Sequence, residues 1–523
     1  MEGRGLITDV SVENKAVKLI IDTVSEEENY FSIIVGVNGS GKSRILEAIS
    51  TLGIFIPTLF NTEGCVYHTF EKITNVLMAN ESDPIISMSM SYLSGGDENS
   101  IRIETKINHF DYYDSISEIW FNKNNEVPKI ICISNSLSNR FPRITDNHHA
   151  LIGLAGSNVK NLSISEDYRI SRYEAYKNII EESLSKEIIK SFFSNEGYFK
   201  QSVEFLGNFG FSGGVLITLK AHNNLFGVTE KGVGDERELK ERIRSINKFN
   251  FPFDGNDDEL MSEIINNIDS VFKVLLQSIK TKEDNWDVNY FDTYFFRDGT
   301  IGSFSFDTSE YVKNDLHEKI SFLAKYGIIK LKECRIARGG NPIIINKMSS
   351  GELNLLLLMF KINGEICDNS IIMIDEPEIS LHPAWQKKIV PELTKCFSKY
   401  KGCHFIIATH SPQVVASIPK SNSCVVMLGE YSKTIPGADV HGKSSDFQLF
   451  NTLNYAGDSN EYIIRELLLI VAKYDSSQSI DKKDIDFIKH AKLLLEDVGD
   501  DDVAKYLLRQ TLALISPEGE CNE

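Results

Sequence analysis

The chain has 523 residues, 42% of them hydrophobic and 25% charged, with 55 Lys and Arg against 74 Asp and Glu and a formal net charge of −19. That length is too great for one small core and predicts roughly two to four structural units. The acidity argues against a surface built mainly to coat DNA or anionic membrane, although a local basic groove stays compatible with it. The eight cysteines form no CxxC pair and several lie in apolar runs, the pattern of reduced thiols in a cytoplasmic protein. Met1–Val10 carries no apolar signal core, and no apolar run approaches the ~18 residues that span a bilayer. No membrane partner is expected.

Taken in chain order, Val17–Ile21 alternates loosely and Tyr30–Val35 is a compact apolar run ending at Gly36, a buried strand entering a turn. Lys42–Phe55 follows as a helix, with Ile45, Leu46, Ile49 and Leu52 on one stripe. Alternation over residues 85–109 predicts a hairpin whose polar loop is Gly95–Asn99. Val127–Ile133 reads as another apolar strand, running into Ser134-Asn135-Ser136. Helical periodicity then dominates in Tyr168–Phe193, Glu236–Ile246, Asp258–Ile279 and Asp315–Leu323, so 151–335 is expected to be a mainly helical insertion. It lacks the sustained heptads of a long coiled coil. Strand-like composition returns at Pro342–Asn346 within a segment 336–430. The acidic remainder, 431–523, is again helical at Tyr462–Tyr474, Asp484–Leu495 and Val503–Ile515.

Four short motifs carry the chemistry. Gly36–Ser43 fits GxxxxGK[ST] between a strand and a helix. Backbone N–H groups of Gly39, Ser40 and Gly41 can wrap a phosphate chain, Lys42 can reach its β- and γ-phosphates, and Ser43 can hold Mg²⁺. The helix that follows directs its positive end at the anion. Ile371–Ile374 delivers Asp375 and Glu376 to the end of a buried strand, Asp375 for the Mg²⁺ shell and Glu376 to polarise the attacking water. Phe405–Thr409 is a further buried strand capped by His410, placed to sense the γ-phosphate. Ser349-Ser350-Gly351-Glu352 opens an apolar helix with Ser349 or Ser350 as N-cap, so free N–H groups could bind a phosphate there.

Two rival matches fail on context. Leu93–Asp97 is nearer to an LSGGQ consensus but sits at a hairpin turn. Gly437–Ser444 also satisfies GxxxxGKS, but the strand Cys424–Leu428 stops well before it and Asp439 would face the phosphate. It is expected to be a loop after the last core strand.

Together the motifs resemble the ABC-type ATPase heads of the SMC, RecF and overcoming-lysogenization families. The shared features are the phosphate loop with Asn38, the SSGE signature, Asp375–Glu378, Ser380-Leu381-His382-Pro383 as D-loop, and Ala408–Pro412 as switch. The resemblance implies an α/β fold: an ABC-type P-loop ATPase head of mixed and parallel sheet with flanking helices, split by the insertion, its first lobe in 1–150 and its second in 336–430. It implies ATP and Mg²⁺ bound by Asn38, Gly39, Ser40, Gly41, Lys42, Ser43 and Arg44, with Asp375 on the metal and Ser380 and His382 near the nucleotide. It also implies a homo-oligomer built on head-to-tail dimers, in which Ser349, Ser350, Gly351 and Glu352 of one chain close over the ATP of the other.

Within that group, Ile130–Ser136 with Arg140-Phe141-Pro142, Tyr326–Ile329 and His441–Asp446 resemble the ATPase subunit of Septu antiphage systems. Those systems pair the ATPase with a separate HNH nuclease, and their retron-linked forms add a reverse transcriptase and its DNA–RNA hybrid. ABC heads usually carry a glutamine after a strand of the first lobe, yet no Gln occurs before Gln201. Asn135 is the nearest substitute. Two alternatives stay open: an ATPase with its own Toprim nuclease, for which Asp484-Ile485-Asp486 is the available acidic pair, and a DNA-repair ATPase.

Overall fold

The computed structural model describes residues 6–13, 15–21, 28–37, 39–61, 87–94, 97–107, 113–121, 128–134, 141, 159–162, 174–208, 210–222, 225, 236–247, 258–282, 300–306, 315–429 and 432–515. Asn38, Asn135, Arg140, Pro142, Cys65 and Cys521 lie outside them.

Seven strands form the central sheet: β3 (Tyr30–Val35), β7 (Ile130–Ser134), β8 (Val159–Asn161), β13 (Ile371–Asp375), β14 (His404–Ala408), β15 (Ser423–Met427) and β16 (Lys433–Pro436). Their order is β16-β15-β3-β14-β13-β7-β8, and every pairing is parallel except that of β15 with β16. β3, β7, β13 and β14 are buried at every residue. That explains their uninterrupted apolar runs, since a parallel strand covered on both faces has no solvent side to alternate toward. Phe31, Ile33, Ile131, Ile372, Ile374, Phe405 and Ile407 enter one core, and Ile34, Ile130, Cys132, Met373 and Ile406 the other.

The second of these cores is closed by the helix Lys42–Asn61 and by a five-stranded antiparallel sheet. That sheet runs β2-β1-β4-β5-β6, with β1 (Leu6–Val12), β2 (Lys15–Lys18), β4 (Ser87–Ser94), β5 (Asp97–Ile107) and β6 (Tyr113–Phe121). The hairpin expected over 85–109 is present, with Ser94 opposite Asp97. Asp97–Asn99, expected in its loop, instead continue the ladder against Ser94, Leu93 and Tyr92. The LSGGD match therefore ends one strand and begins the next.

The first core is closed by helices Glu174–Phe193, Glu196–Asn208 and Ser350–Asn363, and by a second antiparallel sheet. Most of the described residues of 151–335 are helical, but the segment also carries strands that the sequence reading did not name. β9 (Phe211–Ala221) and β10 (Thr300–Phe306) lie in that segment, β11 (Ile329–Arg338) runs past its end, and the three join β12 (Asn341–Ile344) in the order β10-β9-β11-β12. β8, also inside it, belongs to the central sheet. The expected helices do form, at Glu174–Phe193, Glu236–Asn247, Asp258–Lys282 and Asp315–Lys325. The strands were missed because strongly periodic helices surround them and their alternation is interrupted, by Gly213 and Gly214 in β9 and by Gly302 in β10.

Beyond β16 the chain forms a separate helical core from Glu461–Ser477, Lys482–Leu494 and Val503–Ile515. Asp481 and Asp484 make a reciprocal capping box at the start of the second of these. Lys473 bonds both carboxylates. Of the Asp484-Ile485-Asp486 pair that a Toprim reading would use, Asp484 is thus engaged in capping a helix and in bonding Lys473. Among the described residues, no group of three His, Cys, Asp or Glu is placed to hold a metal ion. No described helix is long and apolar enough to cross a membrane. Cys132, Cys334, Cys396, Cys403 and Cys424 are buried free thiols, and Cys367 is exposed.

One buried polar group fastens the five-stranded sheet to the central one. The His404 Nδ1 accepts from the Ile7 N–H at 3.1 Å, so Nε2 carries the proton and donates to Ser32 Oγ at 2.7 Å. Ser32 in turn donates to the Leu19 carbonyl at 2.6 Å. Complete burial pushes the His404 pKa down to about 3. In the unfolded chain a histidine titrates near ~6.5, so the unfolded state alone takes up this proton between those values. The contribution is complete above the unfolded value and is lost as pH falls through it toward the folded one. We expect the urea midpoint to drop from pH 7 to pH 5, with His404 accounting for about 2 kcal/mol of the loss. His404→Gln should be less stable at pH 7 but show a shallower decline; equal slopes for the two proteins would exclude this role.

Candidate functional site

The phosphate loop leaves the end of β3 and closes on the helix that starts at Lys42. Gly39 and Gly41 have φ of +79° and +100°, left-handed values that a side chain would strain. Ser40 is buried and its Oγ has no hydrogen-bond partner among the described residues. Lys42, also buried, turns its Nζ back onto the loop's own carbonyls, at 3.0 Å from Gly36 and 3.4 Å from Val37. Burial lowers its pKa, against the pull of Glu376, Asp375 and Glu378. A cradle of backbone donors with an inward lysine and an orphaned hydroxyl is what a phosphate chain would complete.

Parallel pairing sets the other acids beside it. Asp375 stands opposite Ala408, and Ala408 opposite Ile34. Ser43 Oγ donates to Asp375 at 3.2 and 3.4 Å. Burial, then the neighbouring Glu376, raises the Asp375 pKa to about 6. Glu376 has φ +49°, an unusual value outside glycine, and its N–H bonds the Ala408 carbonyl at 2.9 Å. That bend brings its Oε1 to 3.7 Å from His410 Nε2. His410 has its pKa lowered, by burial first and then by Lys42. So Lys42, Ser43, Asp375, Glu376 and His410 converge at one edge of the central sheet, as the sequence implies.

The signature and D-loop form a second group. Ser349 caps the helix Ser350–Asn363: its Oγ accepts from the Glu352 N–H, and the Glu352 carboxylate accepts from the Ser349 N–H. Ser349 and Ser350 are exposed. Gly351 is buried, and a Cβ there would sit 3.2 Å from the Leu381 side chain and 3.5 Å from the Ser380 carbonyl. The signature thus packs on the D-loop of its own chain. Ser380 is exposed with φ +64°, and exposed His382 caps a short helix through Nδ1. Among the described residues, Ser349 and Glu352 bond to each other, and Arg338 pairs with Glu352 at 3.6 Å. None of these bonds reaches the phosphate loop.

Three residues were not singled out from the sequence. Lys15 on β2 donates to the Ser40 carbonyl at 2.9 Å, and Glu13 pairs with Arg44 at 3.0 Å, so the β1–β2 hairpin leans on the phosphate loop. Glu378 accepts from Thr409 Oγ1 at 2.7 Å and from the His410 N–H at 2.6 Å. The only signal for it was a second carboxylate shortly after Asp375-Glu376. The rival GKS match is no phosphate loop: Gly437–Val440 is one helical turn, and a Cβ on Gly437 would lie 1.9 Å from Ser423 Oγ. Its glycine serves close packing. It also differs from the expected plain loop, since Ser444 caps the helix Ser445–Asn451.

Residues 31–416 match the family model described as "AAA domain, putative AbiEii toxin, Type IV TA system". The chain belongs to this AAA family. It is 30% identical over 151 residues to the retron Ec83 probable ATPase of Escherichia coli, covering 26% of this chain and 27% of that relative. It is 26% identical over 154 residues to the retron Vc95 probable ATPase of Vibrio cholerae serotype O1 biovar El Tor, covering 27% and 29%. The matches therefore span under a third of each relative. Among solved structures, the SMC head domain from Thermotoga maritima aligns over 82% of this chain and 98% of that one, at 14% identity and a TM-score of 0.31. That superposition is too loose to carry residue roles.

The raised Asp375 pKa has a measurable consequence. Below about pH 6, protons would compete with a divalent cation offered to this carboxylate. The affinity for Mg²⁺-nucleotide should fall about tenfold from pH 7 to pH 5, and Asp375→Asn should flatten that dependence, as titration calorimetry would read.

Proposed function

We propose that this chain binds and hydrolyses ATP as an ABC-type ATPase, and that a second copy completes its site. The observation that best supports this is the convergence of Ser43 and Asp375 at 3.2 Å, with Lys42 on one side and Glu376 facing His410 on the other. Lys42 and the loop N–H groups bind the phosphates. Ser43 and Asp375 would hold Mg²⁺, which when bound screens the charge on the β- and γ-phosphates. Glu376 orients the attacking water and takes its proton, and His410 contacts the γ-phosphate from the switch side. Ser349 and Ser350, exposed and without a bond to their own phosphate loop among the described residues, are offered to the ATP of a partner copy.

At the level of biology we propose an antiphage ATPase subunit, Septu-like and retron-linked, that gates a separate HNH effector nuclease. Two relatives named as retron probable ATPases support the retron link. The resemblance at Ile130–Ser136 and His441–Asp446 supports the Septu one. A reverse transcriptase and its DNA–RNA hybrid are then the further partners. Expression from the native locus should co-purify an HNH nuclease. DNA cleavage by the isolated chain with Mg²⁺ would instead indicate a nuclease of its own.

Lys42→Ala should lose ATP binding by at least about a hundredfold. Glu376→Gln should keep ATP affinity within a few fold, lose turnover by about a hundredfold or more, and accumulate as a closed dimer. Normal turnover by Glu376→Gln would remove Glu376 from the base role. Mixing Lys42→Ala with Ser349→Arg should restore part of the activity, since one mixed dimer interface then holds an intact loop and an intact signature.

A further inference from the structure

Of the proposed chemistry beyond the phosphate loop, Asp375 ends strand β13, whereas Glu376 and His410 sit on irregular backbone. No strand ladder fixes His410, which lies past the last residue of β14. What holds it is Glu378. A single carboxylate oxygen, Oε1, accepts from Thr409 Oγ1 at 2.7 Å and from the His410 N–H at 2.6 Å. Thr409 Oγ1 then accepts from the Ser411 N–H at 3.0 Å, so three successive switch residues hang on this carboxylate. A second tie reaches the same loop from the D-loop side. Ser411 Oγ donates to Gln386 Oε1 at 2.7 Å, while Gln386 Nε2 donates to the Leu381 carbonyl at 2.9 Å. Glu378 also closes the turn it stands in, its carbonyl accepting from the Leu381 N–H at 3.0 Å.

We propose that Glu378 is a positioning residue for ATP hydrolysis: its carboxylate fixes the switch backbone so that the His410 imidazole stays at Glu376. This rests on the ATPase reading above. The burial of Glu378 Oε2, which has no partner among the described residues, indicates why the carboxylate is costly and would not persist as a mere surface anchor. Two charge-assisted bonds to one oxygen repay that cost by ordering the switch. Removing them frees His410 to leave the 3.7 Å approach to Glu376 without touching the phosphate loop.

Glu378→Ala should therefore lower kcat about ten- to a hundredfold while KM and nucleotide affinity stay within about threefold. Glu378→Gln keeps an acceptor oxygen for Thr409 and His410 and should recover most of the rate. Thr409→Val, which removes one of the two donors, should fall between them. The second readout needs no turnover. In protein labelled at histidine, the imidazole resonance of His410 should move in Glu378→Ala and return toward its wild-type position in Glu378→Gln, with His404 as an internal reference for folding. Unchanged kcat in Glu378→Ala, or an unmoved His410 resonance while His404 keeps its own, would overturn the proposal. Absence of hydrolysis in the wild-type protein would instead count against the ATPase reading, and the resonance would still decide the positioning role.

Discussion

Parallel pairing of β3, β14 and β13 is the constraint on which the rest of the site depends. Parallel strands joined by long crossovers all end at the same edge of their sheet, whatever separates them in sequence. The phosphate loop after Val35, Asp375 and Glu376 at the end of β13, and Thr409 and His410 past β14 are brought together by that rule alone. The insertion between them, with its own four-stranded sheet, does not disturb the edge. It leaves and re-enters through β7, β8 and the signature helix, on one flank. The central sheet needs only its register, and that register is set by side chains buried on both faces, where a shift would turn each residue into the opposite core.

The sheet is stiff, but the candidate catalytic groups lie just outside it, and their placement relies on polar contacts. Glu376 and Ser380 both have positive φ. Such conformations cost on the order of 1–2 kcal/mol each outside glycine and persist only where the surroundings over-determine them. The surroundings are visible here: the Glu376 N–H on the Ala408 carbonyl, Glu378 on the switch, and Gln386 between D-loop and switch. The same economy holds on the far side of the sheet, where His404 and Ser32 satisfy one another and join two layers through groups that would otherwise be buried without partners. Polar groups decide where the layers and loops sit, and apolar area makes the sheet persist.

Much of this was legible from residues alone, and the physical reasons differ by element. Tyr30–Val35, Ile371–Asp375 and His404–Ala408 were readable because a strand buried on both faces is an unbroken apolar run. Lys42, Ser43, Asp375, Glu376 and His410 were readable because the chemistry restricts residue type and each stands at the end of such a run. β9, β10 and β11 were not, since one-sided strands alternate weakly and lie between strong helices. Lys15, His404 and the role of Glu378 were invisible for another reason. Their roles are contacts across 31, 25 and 397 positions of chain, to Thr409, Ser40 and Ile7, and no local pattern records such distances.

The signature corner sets a condition on any partner. Its N-terminal donors are not idle, because the Ser349 hydroxyl accepts one N–H and the Glu352 carboxylate returns the bond. A capping box of this kind stabilises a helix end by about 1 kcal/mol. A phosphate arriving from a second copy would meet that carboxylate first, and like charges in a closing interface are costly. The corner can accept the anion only if Glu352 turns aside, and its 3.6 Å pair with Arg338 is made while it still occupies the capping box. Gly351 meanwhile touches Leu381 and Ser380, and Leu381 is tied through Gln386 to the switch. Any displacement at the signature is therefore passed by direct contact to the loop that carries His410. In the proposed dimer, this connectivity would join the corner that meets a neighbour's nucleotide to the chain's own switch loop, a link that the phosphate loop alone does not supply.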